Sequence, residues 1–154
     1  MVVLGIDPGT SCGFAVAVDG RIVKSGAWDL SVHRGESPGV RYLRLRGNVF
    51  GVREEHGLDV VVYEQAHHRG GAATEYGHGY ATTLQTLSAE YGFETIVVHS
   101  ATLKKSAAGS GRASKSDMIL AAAIVLGRTP RTDDEADAVL LVQAALSQIG
   151  EKAK

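Results

Sequence analysis

The stretch VVLGIDPGT at residues 2–10 decides the fold, because an uninterrupted apolar run leads directly into an acid and a turn. Such a run is typical of a strand that is buried on both faces and lies at the centre of a sheet. Since Pro8 and Gly9 force a turn, Asp7 is expected at the carboxyl edge of that sheet, where α/β proteins bind ligands. An Asx turn, in which Asp7 only accepts backbone N–H groups, would explain this residue equally well.

A second acid ends a second apolar run. Residues 60–63 read VVVY and are followed directly by Glu64. A charge at the end of so apolar a strand is costly unless it is paired or bound to a cation, which favours a functional interpretation over a structural one. If the two strands are neighbours, Asp7 and Glu64 lie at the same edge of the sheet.

Two more acids, Asp134 and Asp137, lie one turn apart on a predicted C-terminal helix, on the face that also carries its apolar residues. The helix dipole and a capping box of Thr132 with Glu135 explain Asp133 and Glu135, but they explain Asp137 less well. A cluster of acidic oxygens is a natural cage for hard cations such as Mg²⁺, which activate water at a phosphodiester. The four acids together therefore predict a metal site.

The order of elements predicts an α/β fold with a mixed five-stranded sheet, three antiparallel N-terminal strands plus two parallel ones, flanked by helices on both faces. The turn Asp19-Gly20 joins the second and third strands as a hairpin. The predicted strands are 2–6, 14–18, 21–28, 60–63 and 95–98, and the predicted helices are 38–57, 76–91, 114–126 and one that begins after Thr132.

Length and composition are those of one globular domain. We expect a single domain over residues 1–150 of the 154, followed by a short tail at 151–154. No apolar stretch approaches the roughly 20 residues that a membrane span needs. The single cysteine, Cys12, agrees with a reducing compartment and is expected to be a small buried side chain. These features predict a cytoplasmic protein without membrane contact.

The charges are unevenly distributed, although the formal net charge is only −1. Between His99 and Ser116 four bases occur without an acid: Lys104, Lys105, Arg112 and Lys115. The segment 34–53 carries five arginines against one acid. Acids that hold cations and separate bases that hold phosphates are what a metal-dependent nuclease requires. Two solvated surface patches are the alternative explanation.

Three motifs resemble the RuvC family of Holliday junction resolvases: GIDPG at 5–9, YEQ at 63–65 and DEADA at 134–138. The segment from Leu103 to Ser116 also resembles the basic loop and following helix of that family. The resemblance spans nearly the whole chain in order. It implies a ribonuclease H-like fold and a homodimer that nicks two strands of like polarity in a four-way DNA junction. It further implies Mg²⁺ or Mn²⁺, two per active site, and a bacterial or phage-infected cell as the setting.

The resemblance also implies roles for individual residues. The family's four acidic ligands fall on Asp7, Glu64, Asp134 and Asp137. Lys104 and Lys115 match lysines that the family uses toward DNA, and Lys115 is assigned a catalytic role in offsetting charge on the phosphate. Lys104, Lys105 and Arg112 are expected to hold the DNA backbone, so that affinity falls with salt.

One departure from the family concerns the residues after Glu64-Gln65. Bacterial members have a hydrophobic residue and an aromatic there, whereas this chain has Ala66, His67 and His68. An imidazole can stack on a base, so His67 or His68 are candidate DNA-binding residues. An exposed loop without that role is an equal alternative, which makes the substrate less secure than the chemistry.

Three other functions remain as alternatives. The motif at residues 5–10 followed by a hairpin also resembles the phosphate loop of actin-like ATPases and sugar kinases, but these close a second domain over the nucleotide, and we expect no nucleotide cofactor. A catalytically inactive DNA-binding module would have no need of four carboxylates. A general branched-DNA or flap nuclease, or a ribonuclease H, would use the same acids and differ only in its DNA-facing loops.

Overall fold

A five-stranded sheet forms the centre of the computed structural model, which describes residues 1–66 and 71–154. The strands are β1 (Val2–Asp7), β2 (Ser11–Val18), β3 (Arg21–Asp29), β4 (Val60–Glu64) and β5 (Glu94–Val98). They lie in the order β3-β2-β1-β4-β5. The pairs β1–β2 and β2–β3 are antiparallel, whereas β1–β4 and β4–β5 are parallel. The predicted mixed sheet is confirmed, with the chain's first strand at its centre.

The hairpin between β2 and β3 turns at Asp19 and Gly20, as predicted. Their φ angles are 49° and 83°, so both residues occupy the left-handed region that a two-residue hairpin turn requires. The ladder is irregular between Val16 and Ala17, where Val23 of β3 is left without a register partner. Both strands nevertheless extend beyond the predicted bounds, because the pairing continues to Ser11 and Asp29.

Helices cover both faces of this sheet. They are α1 (Val40–His56), α2 (Ala72–Tyr91), α3 (Ser100–Ala108), α4 (Lys115–Leu126) and α5 (Asp133–Lys152). Within the described ranges, none of them is long and apolar enough to cross a membrane. The helix α5 ends at Lys152, two residues into the expected tail.

The helix boundaries partly differ from those predicted. α1 begins at Val40 rather than Pro38, because Ser37 to Gly39 form a turn whose Ser37 carbonyl accepts the Val40 N–H. α4 begins with the predicted capping box, in which Ser114 and Asp117 exchange side-chain and backbone hydrogen bonds, and it ends at Gly127. α3 was not predicted as a helix, since the segment was interpreted as a loop.

Two apolar cores lie on opposite faces of the sheet. α1 and α2 pack on one face around Leu4, Leu45 and Leu84, whereas α4 and α5 pack on the other around Val3 and Leu141. Alternate residues of β1 contribute to the two cores, as expected for a strand that is buried on both sides. The sheet is therefore covered on both faces, and its free carboxyl edge is left to form a site.

The helix α5 lies unusually close to the sheet because of two glycines. A Cβ at Gly5 would collide with the Ala138 carbonyl oxygen, and one at Gly13 would collide with the Asp134 carbonyl oxygen. Gly13 is also the register partner of Asp7. The absence of side chains at these two strand positions brings the first turn of α5 directly against the end of β1.

Candidate metal-dependent active site

The first two predicted acids lie side by side at the carboxyl edge of the sheet. Asp7 ends β1 and Glu64 ends β4, and the two strands are parallel neighbours with Ile6 paired to Tyr63. Neighbouring strands are about 4.8 Å apart, so consecutive register positions put the two carboxylates within reach of a shared ion. The sequence-based placement of both acids is confirmed.

The other two acids come to the same edge on α5. Asp134 lies in the first turn, with its backbone against Gly13, and forms a side-chain hydrogen bond with Asp7. Asp137 follows one turn later, and its carboxylate interacts electrostatically with Glu64 and with Lys104 of α3. The fold thus brings together four acids from three separate elements.

The accumulation of negative charge changes the ionisation of the site. Burial, followed by the charges of Asp137, Glu64 and Asp134, raises the pKa of Asp7 to about 9. Burial and the neighbouring carboxylates also raise the pKa of Asp137 to about 6, while Lys104 opposes that rise. Neighbouring carboxyl groups with raised pKa values resist carrying their negative charges at the same time. A bound cation would supply the positive charge that compensates them.

Two adjoining hollows border these acids. The larger, about 490 Å³, is lined by Asp7 and Glu64 together with the first turns of α2. The smaller, about 190 Å³, is lined by Glu64 and Asp137 together with Lys115 of α4. Glu64 and Lys104 line both hollows, so Asp7, Glu64 and Asp137 lie along one continuous cleft with a lysine beside them, and Asp134 adjoins it through its hydrogen bond with Asp7.

The donor set of the cleft fits a hard divalent cation, since all four acids offer oxygen ligands of the kind that Mg²⁺ prefers. As the side chains stand, no three His, Cys, Asp or Glu groups within 1–66 and 71–154 are arranged as a ligand cage. The four carboxylates lie near one another, but they do not surround a single point.

The predicted DNA-binding bases surround the cleft to different extents. Lys104 lines it, and Lys115 lies in the first turn of α4 with its ammonium 3.3 Å from the Asp133 carboxylate. Lys105 and Arg112 are exposed beside it. Lys104 and Lys105 belong to α3, which corrects their assignment to a loop; the loop itself covers only residues 109–114.

His67 and His68, the other candidate DNA-binding residues, lie outside the described residues. The arginine-rich segment 34–53, in contrast, is well described and is largely neutralised within the chain. Its pairs are Arg44 with Glu36, Arg46 with Glu90 and Arg53 with Glu54, and the Arg41 guanidinium lies 3.6 Å from the ring centre of Tyr76. Four of the five arginines of this segment thus have partners within the chain.

Sequence reasoning missed the role of one residue next to the four acids. Glu135, assigned to a capping box, is fully buried and only half of that box forms: Thr132 accepts the Glu135 N–H, but the Glu135 carboxylate turns to Arg128 and Ser25 instead. Because Glu135 lies between other acids in the sequence, its pairing with Arg128 and Ser25 was not predicted. Cys12 is buried as predicted, and burial, with the charge of Asp7 next, raises the pKa of its thiol to about 12.

Comparison with known proteins identifies similar sequences. No family model matches the chain. The chain is 32% identical over 148 residues to the crossover junction endodeoxyribonuclease RuvC of Corynebacterium glutamicum, covering 90% of this chain and 66% of that protein. It is 31% identical over 152 residues to the protein of the same name from an Anaeromyxobacter species, covering 96% of this chain and 74% of that protein. The chain thus spans about two thirds of the length of the Corynebacterium relative.

Solved structures give a consistent result. Thermus thermophilus RuvC superimposes with a TM-score of 0.81 at 25% identity, covering 97% of both chains. The same protein in complex with a Holliday junction substrate gives a TM-score of 0.81 at 26% identity, covering 97% of this chain and 96% of that one. The yeast mitochondrial Holliday junction resolvase Ydc2, at 13% identity and a TM-score of 0.64, shares the fold.

Proposed function

The chain belongs to the RuvC family of metal-dependent nucleases, and we propose that it is a Holliday junction resolvase. It cuts four-way DNA junctions by paired symmetric nicks and leaves a 5′ phosphate and a 3′ hydroxyl. The observation that carries this proposal is that Asp7, Glu64, Asp134 and Asp137 lie together at one edge of the sheet, where the pKa of Asp7 rises to about 9. The likeness to a RuvC protein solved with a Holliday junction supports the substrate.

The residues that would hold the cofactor are these four acids, and the proposed ions are Mg²⁺ or Mn²⁺, two per site. When bound, such ions activate water and stabilise the leaving 3′ oxygen of a phosphodiester. The acids contribute by supplying oxygen ligands from three rigid elements, which fixes the reacting phosphate relative to the sheet edge. The raised pKa of Asp7 also implies that binding a cation at neutral pH releases a proton from this carboxyl group.

The lysines have separate roles along the cleft. Lys104 lines both hollows and partly offsets the negative charge around Asp137, so it is placed to hold a phosphate next to the acids. Lys115 is 86% exposed and paired with Asp133, and it can exchange that carboxylate for a DNA phosphate at small cost. Lys105 and Arg112 extend the positive surface away from the acids and contribute affinity rather than chemistry.

Symmetric cutting requires two related active sites, and we infer a homodimer for this reason. A dimer presents two clefts to the two strands of like polarity in a junction. Elution as a monomer at micromolar concentration, with junction cutting retained, would contradict the symmetric mechanism.

The test is to incubate the purified protein with end-labelled four-way junction, Y-fork and linear duplex DNA in Mg²⁺, Mn²⁺ or EDTA, and to map the cuts. Paired nicks confined to the junction, absent in EDTA, are the expected result. Equal cutting of forks would instead identify a general branched-DNA nuclease. Junction binding without metal-dependent cutting would identify an inactive DNA-binding module.

A further inference from the structure

Glu135 is a buried charge directly beside the acids of the cleft. Its side chain has no solvent exposure, and Arg41, at 9% exposure, is the only other buried charged residue within the described ranges. A buried carboxylate is costly unless its charge and lone pairs are satisfied. Glu135 separates Asp134 from Ala136 and Asp137 in the first turn of α5, so whatever satisfies it also acts on the segment that carries two of the four acids.

The partners of Glu135 come from three places. The Ser25 hydroxyl of β3 donates to Oε1 at 2.7 Å. The Arg128 guanidinium, in the segment between α4 and α5, donates to Oε1 at 2.5 Å and to Oε2 at 3.4 Å. The Arg131 backbone N–H donates to Oε2 at 2.6 Å. Arg128 also donates to the Ser25 hydroxyl at 3.2 Å, which closes a small network that we call the Glu135 clamp.

The Glu135 clamp restricts the orientation of the first turn of α5, in addition to the apolar packing of this helix on the sheet. It ties the first turn to β3 on one side, while Gly13 of β2 contacts the Asp134 carbonyl on the other. Successive helical residues point about 100° apart, so a carboxylate held toward β3 directs its neighbours toward other surfaces. With Glu135 fixed, Asp134 and Asp137 face the cleft.

We propose that Glu135, held by Arg128 and Ser25, is a positioning residue that sets the orientation of Asp134 and Asp137 for cation binding. The inference rests on the proposed function, because it takes these two acids as ligands. Outer residues that orient metal ligands typically change metal affinity by about 10–100-fold when they are altered. A residue that only stabilised the fold would leave the affinity of the folded protein unchanged.

Direct Mn²⁺ binding to the protein without DNA is the deciding measurement, using calorimetry or the electron paramagnetic resonance of free Mn²⁺. The variants are Arg128→Ala, Ser25→Ala and Glu135→Gln, each studied at a temperature where circular dichroism shows it folded. Because Arg128 is 41% exposed, its replacement leaves no large cavity. We expect Arg128→Ala and Glu135→Gln to bind Mn²⁺ about 10-fold more weakly than the unaltered protein, and Ser25→Ala to show a smaller loss.

Lys24→Met is the matched control. Lys24 precedes Ser25 on β3 and forms an exposed ion pair with Glu55 at 2.9 Å, away from α5. This variant also loses an ion pair of β3 but should keep the Mn²⁺ affinity of the unaltered protein. Junction cutting adds a second readout: the clamp variants should need about 10-fold more Mn²⁺ for half-maximal rate, with an unchanged rate at saturating Mn²⁺ and unchanged junction affinity.

The inference is overturned if the clamp variants melt at lower temperature but bind Mn²⁺ within twofold of the unaltered protein, which would make the network purely structural. Should Glu135→Gln fail to fold, Arg128→Ala and Ser25→Ala decide the question. Failure of the proposed function is a separate result: the unaltered protein would then cut no branched DNA, whereas the Mn²⁺ titrations would still report on the Glu135 clamp.

Discussion

Asp137 and Glu135 lie two residues apart on the same helix and have opposite electrostatic surroundings. Burial and three neighbouring acids raise the pKa of Asp137 to about 6. Burial also disfavours the charged form of Glu135, yet hydrogen bonds from Arg128, Ser25 and Arg131 hold its pKa at about 2. Burial alone therefore does not decide ionisation in this turn; the supply of partners does. The carboxylate of α5 that is held toward β3 has its charge satisfied within the chain, whereas Asp137 lies among other acids.

The largest expected effect comes from removing charge on the cleft side. Glu64→Gln or Asp137→Asn should reduce junction cleavage on the order of 1,000-fold, because each removes a ligand whose cation stabilises charge in the transition state. Junction binding in EDTA should stay within about twofold, since the basic residues are untouched. Glu55→Gln, at an exposed acid on α1, is the control and should cut normally. Full cleavage by both cleft variants would refute the assignment of roles.

A second prediction concerns the close contact between Gly13 of β2 and the first turn of α5. Gly13→Ala should destabilise the protein by about 3 kcal/mol, because the new Cβ would collide with the Asp134 carbonyl and push the helix from the sheet. Cleavage should fall as well, since Asp134 moves. Gly51→Ala on α1, where a Cβ meets nothing within 4 Å, should instead stabilise by about 0.5–1 kcal/mol. Urea denaturation of the two variants measures both; equal stability would contradict the close seating of α5.

A third prediction concerns how the raised pKa of Asp7 makes the stability of the protein depend on pH. The pKa of Asp7 is raised from 3.8 to about 9, so the folded protein holds a proton that the unfolded chain releases. The free energy of unfolding in EDTA should therefore fall as pH rises from about 4 to 9. Asp7→Asn should remove much of this slope and stabilise the metal-free protein at pH 8 by about 1–3 kcal/mol, while abolishing cleavage.

Thermal unfolding across pH measures this effect. We expect the opposite effect on stability from Glu135→Gln, because this change removes the charge that now accepts hydrogen bonds from Arg128, Ser25 and Arg131. An Asp7→Asn variant that is less stable than the unaltered protein at pH 8 in EDTA would show that burial and the neighbouring acids do not disfavour the charged form of Asp7.

The smallest predicted effect is on DNA affinity. Replacing Lys104 and Lys105 together by alanine should weaken junction binding about 10-fold and reduce the slope of log affinity against log salt by about 2. Arg46→Ala is the matched control, because Arg46 lies on α1, where it lines a separate hollow with Glu90 rather than the cleft, and should contribute little to junction binding. Filter binding at several salt concentrations distinguishes them; an unchanged slope for the lysine variant would mean that α3 does not contact the DNA.

Much of the fold follows from sequence because its signals are local. The apolar runs, the Asp19-Gly20 turn and the Ser114 capping box each determine their own element, and the structure confirms them. The strand order then follows from the connections. The predicted start of α1 was too early, because Ser37 and Pro38 suit a turn as well as the first residues of a helix. The helix α3 was missed because only Leu103 of its side chains is buried, leaving no periodic pattern.

The site was predictable where a residue's position on an element fixes its surroundings, as for Asp7 and Glu64 at strand ends. It was not predictable where partners come from distant parts of the chain. Glu135 meets Ser25 across 110 residues, and Arg46 meets Glu90 across 44, so sequence patterns show neither the clamp nor the neutralised arginines. The close approach at Gly13 was not predicted for the same reason, since Gly13 lies just before the predicted strand 14–18 and its neighbour Asp134 lies far along the chain.

The buried Cys12 has a practical consequence for spectroscopy. With no exposure and a thiol whose pKa burial raises to about 12, it should resist alkylation in the folded protein at neutral pH. It is the only cysteine in the sequence, so a new one at the exposed Ser106 of α3 can carry a spin label or fluorophore without removal of the native thiol. A label at that position can report the distance between two copies of the chain, or the approach of DNA, in the otherwise unaltered protein.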